Sequence, residues 1–176
     1  MTAAPVLDPQ RTALVLVDLM ERIVALPLEP RKGIEVQSTA EELASVFRAE
    51  GALVVLVRVE RPALAEQPPG SGLVAGLRHA GDLEVVKRTI GAFQGTELDA
   101  RLREHGIDTL VFGGITTNLG VESTARAAAD LGYDLVFAED AMSAFTAAEH
   151  EASVRLDFPR LGTVVRAAEV RFGAGE

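Results

Sequence analysis

Three short segments combine residue types that could form a chemical site, without by themselves naming a reaction. Asp18 ends the apolar run Thr12–Val17, where a carboxylate can hold or deliver a proton beside a ligand. Lys87 closes the weaker apolar run 83–86 and supplies a positive charge for Asp18 or for an anionic substrate. The third is the turn Gly113-Gly114-Ile115-Thr116-Thr117-Asn118-Leu119-Gly120, between a strand-like run and a helical pattern. Backbone N–H groups at such a helix start can face a developing negative charge. Each feature also fits a plainer role: a cap or turn residue for Asp18, a solvated charge for Lys87, a tight connection for the turn. The turn has neither the G-x-x-x-x-G-K-[ST] nor the G-x-G-x-x-G spacing of phosphate and dinucleotide sites, and no G-x-S-x-G elbow occurs.

The elements around these residues come in alternation. Segments 12–17, 52–59, 109–112 and 134–138 are short, nearly continuous apolar runs, with 162–165 a shorter fifth and 84–86 a weak sixth. Apolar runs without alternation suit strands covered on both faces, as in a parallel sheet. Between them, Val36, Ala40, Leu43 and Phe47 make one helical stripe, and Val121, Ala125, Ala128 and Leu131 make another. Leu98 and Leu102 mark a helix between Thr96 and Gly106, and a last helix starts near Thr146 and cannot run far past Phe158, because Pro159 follows. The expected fold is α/β, a Rossmann-like doubly wound sandwich with a mostly parallel sheet flanked by helices. Ligands of such sheets bind at the carboxyl ends of the strands, where all three segments fall. Residues 60–81, rich in Pro and Gly, read as a long loop bordering that site.

Composition narrows the chemistry further. The 176 residues are 48% hydrophobic and 24% charged, which fits a single globular domain over 1–176. The formal charge of −9 argues against nucleic-acid and anionic-membrane partners, and no apolar run approaches the ~20 residues of a membrane helix. With no signal-peptide pattern at the N-terminus, a cytoplasmic location is expected. The cysteine count is zero, which removes disulfides, thiolate metal sites and cysteine nucleophiles together. His79, His105 and His150 lack metal-ligand spacing, so no metal is expected; His150 is expected to cap a helix or face solvent.

Taken together, the segments L-V-L-V-D at 14–18, K-R-T-I-G-A-F-Q-G-T at 87–96 and G-G-I-T-T-N-L-G-V-E-S-T-A-R at 113–126 resemble the isochorismatase-like cysteine hydrolase family. L-G-Y-D-L-V-F-A-E-D-A at 131–141 extends the likeness, which runs from Thr12 to Val165. The resemblance implies a six-stranded parallel sheet, a cis peptide at Ile115–Thr116, and a pocket completed in a homo-oligomer, a dimer or tetramer. It also implies an Asp–Lys–Cys triad, in which Asp18 and Lys87 match the first two positions while Gly120 stands at the third. Phe93 is the family-like pocket phenylalanine, with Ile115, Thr116 and Thr117 as substrate contacts. Metal-using members carry an Asp-x-His pattern where this chain reads Val59-Glu60-Arg61-Pro62, so neither zinc nor another cofactor is expected. Met20 replaces the glutamine of the family's D-x-Q.

Without a thiol, covalent amide hydrolysis lacks its attacking atom, and Ser123 or Thr117 could substitute only from inside the pocket with a base nearby. The expected activity is thiol-independent hydrolysis of a small, anionic molecule, with Asp18 protonating a vinyl ether of the isochorismate type and Lys87 pairing with a substrate carboxylate. Arg88 and Arg126 could attract such an anion, with exposed salt bridging the plainer role for both. The alternative is a catalytically silent amidase-like scaffold that binds a small ligand or partner. The turn T-T-N-L-G-V-E-S-T, closer to the amidase-like branch, supports that alternative.

Overall fold

The computed structural model describes residues 4–173. Eight strands are present: β1 (Val6–Leu7), β2 (Thr12–Val17), β3 (Leu53–Val59), β4 (Leu83–Lys87), β5 (Thr109–Ile115), β6 (Asp134–Ser143), β7 (Thr163–Val165) and β8 (Arg171–Phe172). Six form one parallel sheet in the order β4-β3-β2-β5-β6-β7. The order runs outward from β2 in one direction and from β5 in the other, so the topological switch point lies between β2 and β5. Residues 60–82 contain no helix or strand apart from an isolated bridge between Met20 and Leu73. Among the described residues no helix is long and apolar enough to cross a membrane.

The unalternated strand sequences follow from a sheet buried on both faces. Leu14 and Leu16 join one core cluster and Ala13, Val15 and Val17 the other, so every residue of β2 is buried. On the first face lies α2 (Gly33–Ala49), whose Val36, Ala40, Leu43 and Phe47 are buried as the stripe requires. The opposite face is covered by α3 (Leu98–Glu104), through Leu98 and Leu102, and by α4 (Glu122–Asp130), through Ala125 and Ala128. Phe112, Phe137 and Phe158 stack there, with ring centroids 5.8 Å and 4.0 Å apart. Replacing the central ring in Phe137→Ala is expected to lower stability by about 3–5 kcal/mol in urea denaturation, because the stack cannot close over the cavity.

Four features differ from the sequence-based expectation. Strand β5 continues through Gly113, Gly114 and Ile115, and β6 continues to Ser143, with a register shift between Phe112 and Gly114. The bulge hides the continuation, because the apolar run breaks where the pairing slips. A short helix α1 (Glu21–Val24) follows β2, and β1 pairs with β8; each is too short for periodicity to reveal. The last helical region ends at Leu161, shortly past Phe158 as Pro159 requires, but it is not one uniform helix. Helix α5 (Ala147–Ala152) passes into a π-helical turn, Ser153–Asp157, and then α6 (Phe158–Leu161). Pro159 lies in the first turn of α6, where its missing N–H removes no helical bond.

Candidate active site

The switch point places Asp18, just past β2, beside the turn that leaves β5. Val17 pairs in register with Gly114, and a Cβ at Gly114 would run into the Val17 backbone, so glycine alone permits this approach. Asp18 has φ 53°, a left-handed conformation unusual for a residue with a side chain. Its N–H donates to Val57 O at 2.8 Å and its carbonyl accepts from Met20 N at 2.8 Å, which hold the strand end in place. Lys87, the last residue of β4, reaches past the end of β3.

There the two side chains meet. Lys87 Nζ lies 2.9 Å from Asp18 Oδ2 and donates to Ile90 O at 2.5 Å; both side chains are buried. Asp18 Oδ1 is buried and has no hydrogen-bond partner among the described residues. Burial pushes the Asp18 carboxyl above its ordinary range, and outweighs the opposing pull of Lys87 and of Arg22. One carboxyl oxygen is therefore held by the ammonium, while the other is enclosed without a partner among the described residues.

Gly120 completes the cluster. It lies in a π-helical turn, Thr117–Val121, that enters α4. A Cβ built on Gly120 would sit 3.3 Å from Asp18 Oδ2, 3.3 Å from Lys87 Nζ and 3.1 Å from Val17 Cγ1. A side chain at position 120 would thus reach directly into the ion pair. Thr124 Oγ1 anchors the turn by donating to Gly120 O at 2.6 Å while accepting from Ala92 N at 3.1 Å. The Ile115–Thr116 peptide is cis.

Asp18, Lys87, Ile115, Thr116 and Gly120 line one cavity of about 440 Å³. Glu60, Arg61 and Pro62 bring the start of the long loop to the same cavity. Thr117 and Phe93 are placed elsewhere. Phe93 packs against the core on the α3–α4 face, its ring 6.0 Å from that of Tyr133, and does not line the cavity. An apolar ring near a sheet end is satisfied by either environment, so its type could not decide between them. Met20 is buried with Sδ accepting from Val59 N at 3.5 Å, a structural contact in place of an amide. Arg88 lines the cavity while pairing with Glu60 at 3.2 Å, whereas Arg126 pairs with Glu122 and Asp157 away from it. Ser123 lies outside the cavity.

Neither a cap nor an exposed position describes His150, which is buried with Nδ1 2.8 Å from Thr117 Oγ1. Arg31 approaches its Nε2 at 3.3 Å. Glu139 Oε2 lies 3.7 Å from the same nitrogen, so the imidazole sits between a guanidinium and a carboxylate on one side and the Thr117 hydroxyl on the other. Thr117 thus has an imidazole beside it yet no accessible surface, so its hydroxyl cannot attack a substrate in the cavity. Sequence could not foresee the pair, because thirty-three positions separate the partners. Thr117→Val would leave a buried ring nitrogen without its hydroxyl partner; it is expected to lower stability by about 1–3 kcal/mol in urea denaturation, with Thr117→Ser largely spared.

The fold agrees with what comparison finds. An isochorismatase domain profile matches residues 12–169, and the chain belongs to the isochorismatase family. The chain is 41% identical over 181 residues to the isochorismatase family protein YecD of Escherichia coli O157:H7, covering 93% of this chain and 96% of that protein. The structure of an isochorismatase family protein from Burkholderia thailandensis superposes with a TM-score of 0.86 at 36% identity, covering 96% of this chain and 97% of the other. N-carbamoylsarcosine amidase from Thermoplasma acidophilum shares the fold, with a TM-score of 0.77 at 27% identity over 91% of this chain and 98% of its own. The chain is therefore a family member built on a parallel α/β sheet, and the family's hydrolases act on small molecules.

Proposed function

We propose that the protein hydrolyses a small enol ether without a thiol nucleophile, using Asp18 as the proton donor and Lys87 as its electrostatic partner. The observation that carries this reading is a buried carboxyl that lines the cavity with an ammonium against it. Asp18 Oδ2 lies 2.9 Å from Lys87 Nζ, on the side of the carboxyl that faces Gly120. The raised carboxyl pKa supports the same role, since an acid must still hold its proton when substrate arrives.

The chemistry balances as follows. The Asp18 proton is transferred to the methylene carbon of the enol ether, forming a new C–H bond and leaving an oxocarbenium at the ether carbon. Water adds to that carbon and returns a proton to the Asp18 carboxylate. The hemiketal then collapses with cleavage of the bond to the ether oxygen, giving pyruvate and an alcohol. Lys87 is the group that binds the enolpyruvyl carboxylate. A covalent amidase route of the kind implied by a thiol has no counterpart, because the chain contains no cysteine and Thr117 is buried against His150.

Incubation with a panel of enolpyruvyl ethers of differing polarity, isochorismate among them, followed by detection of pyruvate through lactate dehydrogenase, tests the reaction, and pyruvate release above the uncatalysed rate from at least one of them is expected. Lys87→Met probes the pairing. Removing the ammonium takes away a charge that lowers the Asp18 pKa, so the pKa rises further. Activity requires the protonated acid and falls as pH climbs through that pKa. The alkaline limb of the pH–rate profile is therefore expected to move to higher pH in Lys87→Met, with a lower kcat/KM from the lost carboxylate contact. The zero cysteine count favours one second reading, a scaffold that binds a small ligand without turnover. Saturable binding with no product from amides or enol ethers would select it.

A further inference from the structure

Charge is distributed unevenly across the cavity around Asp18. On the β3–β4 side of β2 it is lined by the cations Arg61, Lys87 and Arg88 with one anion, Glu60, beside the apolar Val59, Pro62 and Ile90. On the β5–β6 side its lining is uncharged, with Ile115, Leu119 and Phe145 apolar and Thr116 carrying a hydroxyl. Helix α1 spans both characters, contributing Arg22 and Ile23, with Leu26 just beyond its end.

Two of the cations are uncommitted. Among the described residues Arg22 and Arg61 have no carboxylate within ion-pair distance; Arg22 Nε donates to the neutral Ser71 Oγ at 3.1 Å. Lys87 is matched by Asp18 and Arg88 by Glu60. On a chain of net charge −9, two unpaired guanidinium groups at one cavity form a local attraction for anions. The opposite wall offers nothing comparable to a polyhydroxylated body. Leu119 and Phe145 are exposed apolar side chains there, and among the described residues the neutral hydroxyls lining the cavity belong to Thr89 and Thr116. Hydroxyl groups placed against Leu119 and Phe145 would lose water without gaining partners, whereas an apolar group would gain by leaving water.

We propose that the ligand is an amphiphilic organic acid whose carboxylate lies toward Arg22, Arg61 and Lys87 and whose apolar ring or chain lies against Ile115, Leu119 and Phe145. In the substrate, the alcohol released would accordingly be apolar rather than polyhydroxylated. The inference rests on the reading of this cavity as the reaction site, but binding tests it separately from turnover.

Titration calorimetry of the full chain with hydrocinnamate, its neutral amide hydrocinnamamide, and quinate supplies that test. Hydrocinnamate shares the ring with the amide and the charge with quinate. It is expected to bind about tenfold tighter than either. In the Arg22→Gln, Arg61→Gln double variant the preference over the amide should disappear, and in Phe145→Ser the preference over quinate should disappear. Thermal melting establishes that each variant is folded, and methyl NMR shifts at Ile115 and Leu119 in the wild-type protein locate the ligand. Quinate binding as tightly as hydrocinnamate, the amide matching the acid, or no detectable binding of hydrocinnamate would overturn the proposal. Selective binding of hydrocinnamate with no pyruvate from any enol ether would support this inference while removing the reaction. Pyruvate release with equal preference for polyhydroxylated and apolar ethers would do the reverse.

Discussion

Asp18→Asn is expected to lower kcat/KM for pyruvate release by about 10²–10⁴-fold, the range over which a positioned acid contributes to a proton-transfer step. The amide is nearly isosteric, and its oxygen can still accept from Lys87 Nζ, so the cavity and the loop contacts persist. What it lacks is an ionisable proton to deliver to carbon. The loss should appear mainly in kcat, because binding of the substrate anion through the cationic wall is retained. Steady-state kinetics with the lactate dehydrogenase assay, alongside circular dichroism of the variant, checks both parts. Activity within about tenfold of wild type would mean that another group supplies the proton.

Gly120→Cys has the second large expected effect and acts in the opposite sense for two reactions. The new Cβ would lie 3.3 Å from both Asp18 Oδ2 and Lys87 Nζ, so the sulfur is carried beside an ammonium that favours the thiolate. Reaction with p-nitrophenyl acetate should then show a burst of nitrophenolate and an acetylated protein by mass spectrometry, both absent in wild type. Enol-ether turnover should fall, because the side chain enters the space beside the acid. The Val17 contact at 3.1 Å must relax by a few tenths of an ångström, and overpacking of this kind costs about 1–3 kcal/mol. Gly120→Ala carries the same crowding without sulfur and should show neither burst nor acetylation. An unreactive thiol at position 120 would show that this position does not present side chains to the ion pair.

Much of the architecture was legible because the sheet is buried on both faces. That burial forces runs such as Thr12–Val17 to be apolar without alternation, and it gives α2 a stripe that reads at helical period. The carboxyl-end rule then points to Asp18, Lys87 and the turn after β5 from sequence order alone, and the structure brings all three to one cavity. The failures have a common cause in long-range geometry. Phe93 is an aromatic residue near a motif, and only the packed structure shows it against Tyr133 instead of the cavity. His150 has no informative neighbours in sequence, since its partners Thr117 and Arg31 come from other elements. The division of the cavity into a charged and an uncharged side was equally hidden. It arises from strand order, which places the loops after β3 and β4 on one side of Asp18 and those after β5 and β6 on the other.

The state of the Asp18 carboxyl carries the account, and it can be measured without knowing the substrate. Carbon-13 NMR of protein labelled at aspartate carboxyls, with the Asp18 signal assigned by its absence in Asp18→Asn, gives its titration directly. The expected midpoint lies above that of an ordinary aspartate in the wild-type protein and rises again in Lys87→Met. A resonance that stays ionised down to that value, or that does not respond to loss of the ammonium, would contradict a buried acid poised to donate its proton.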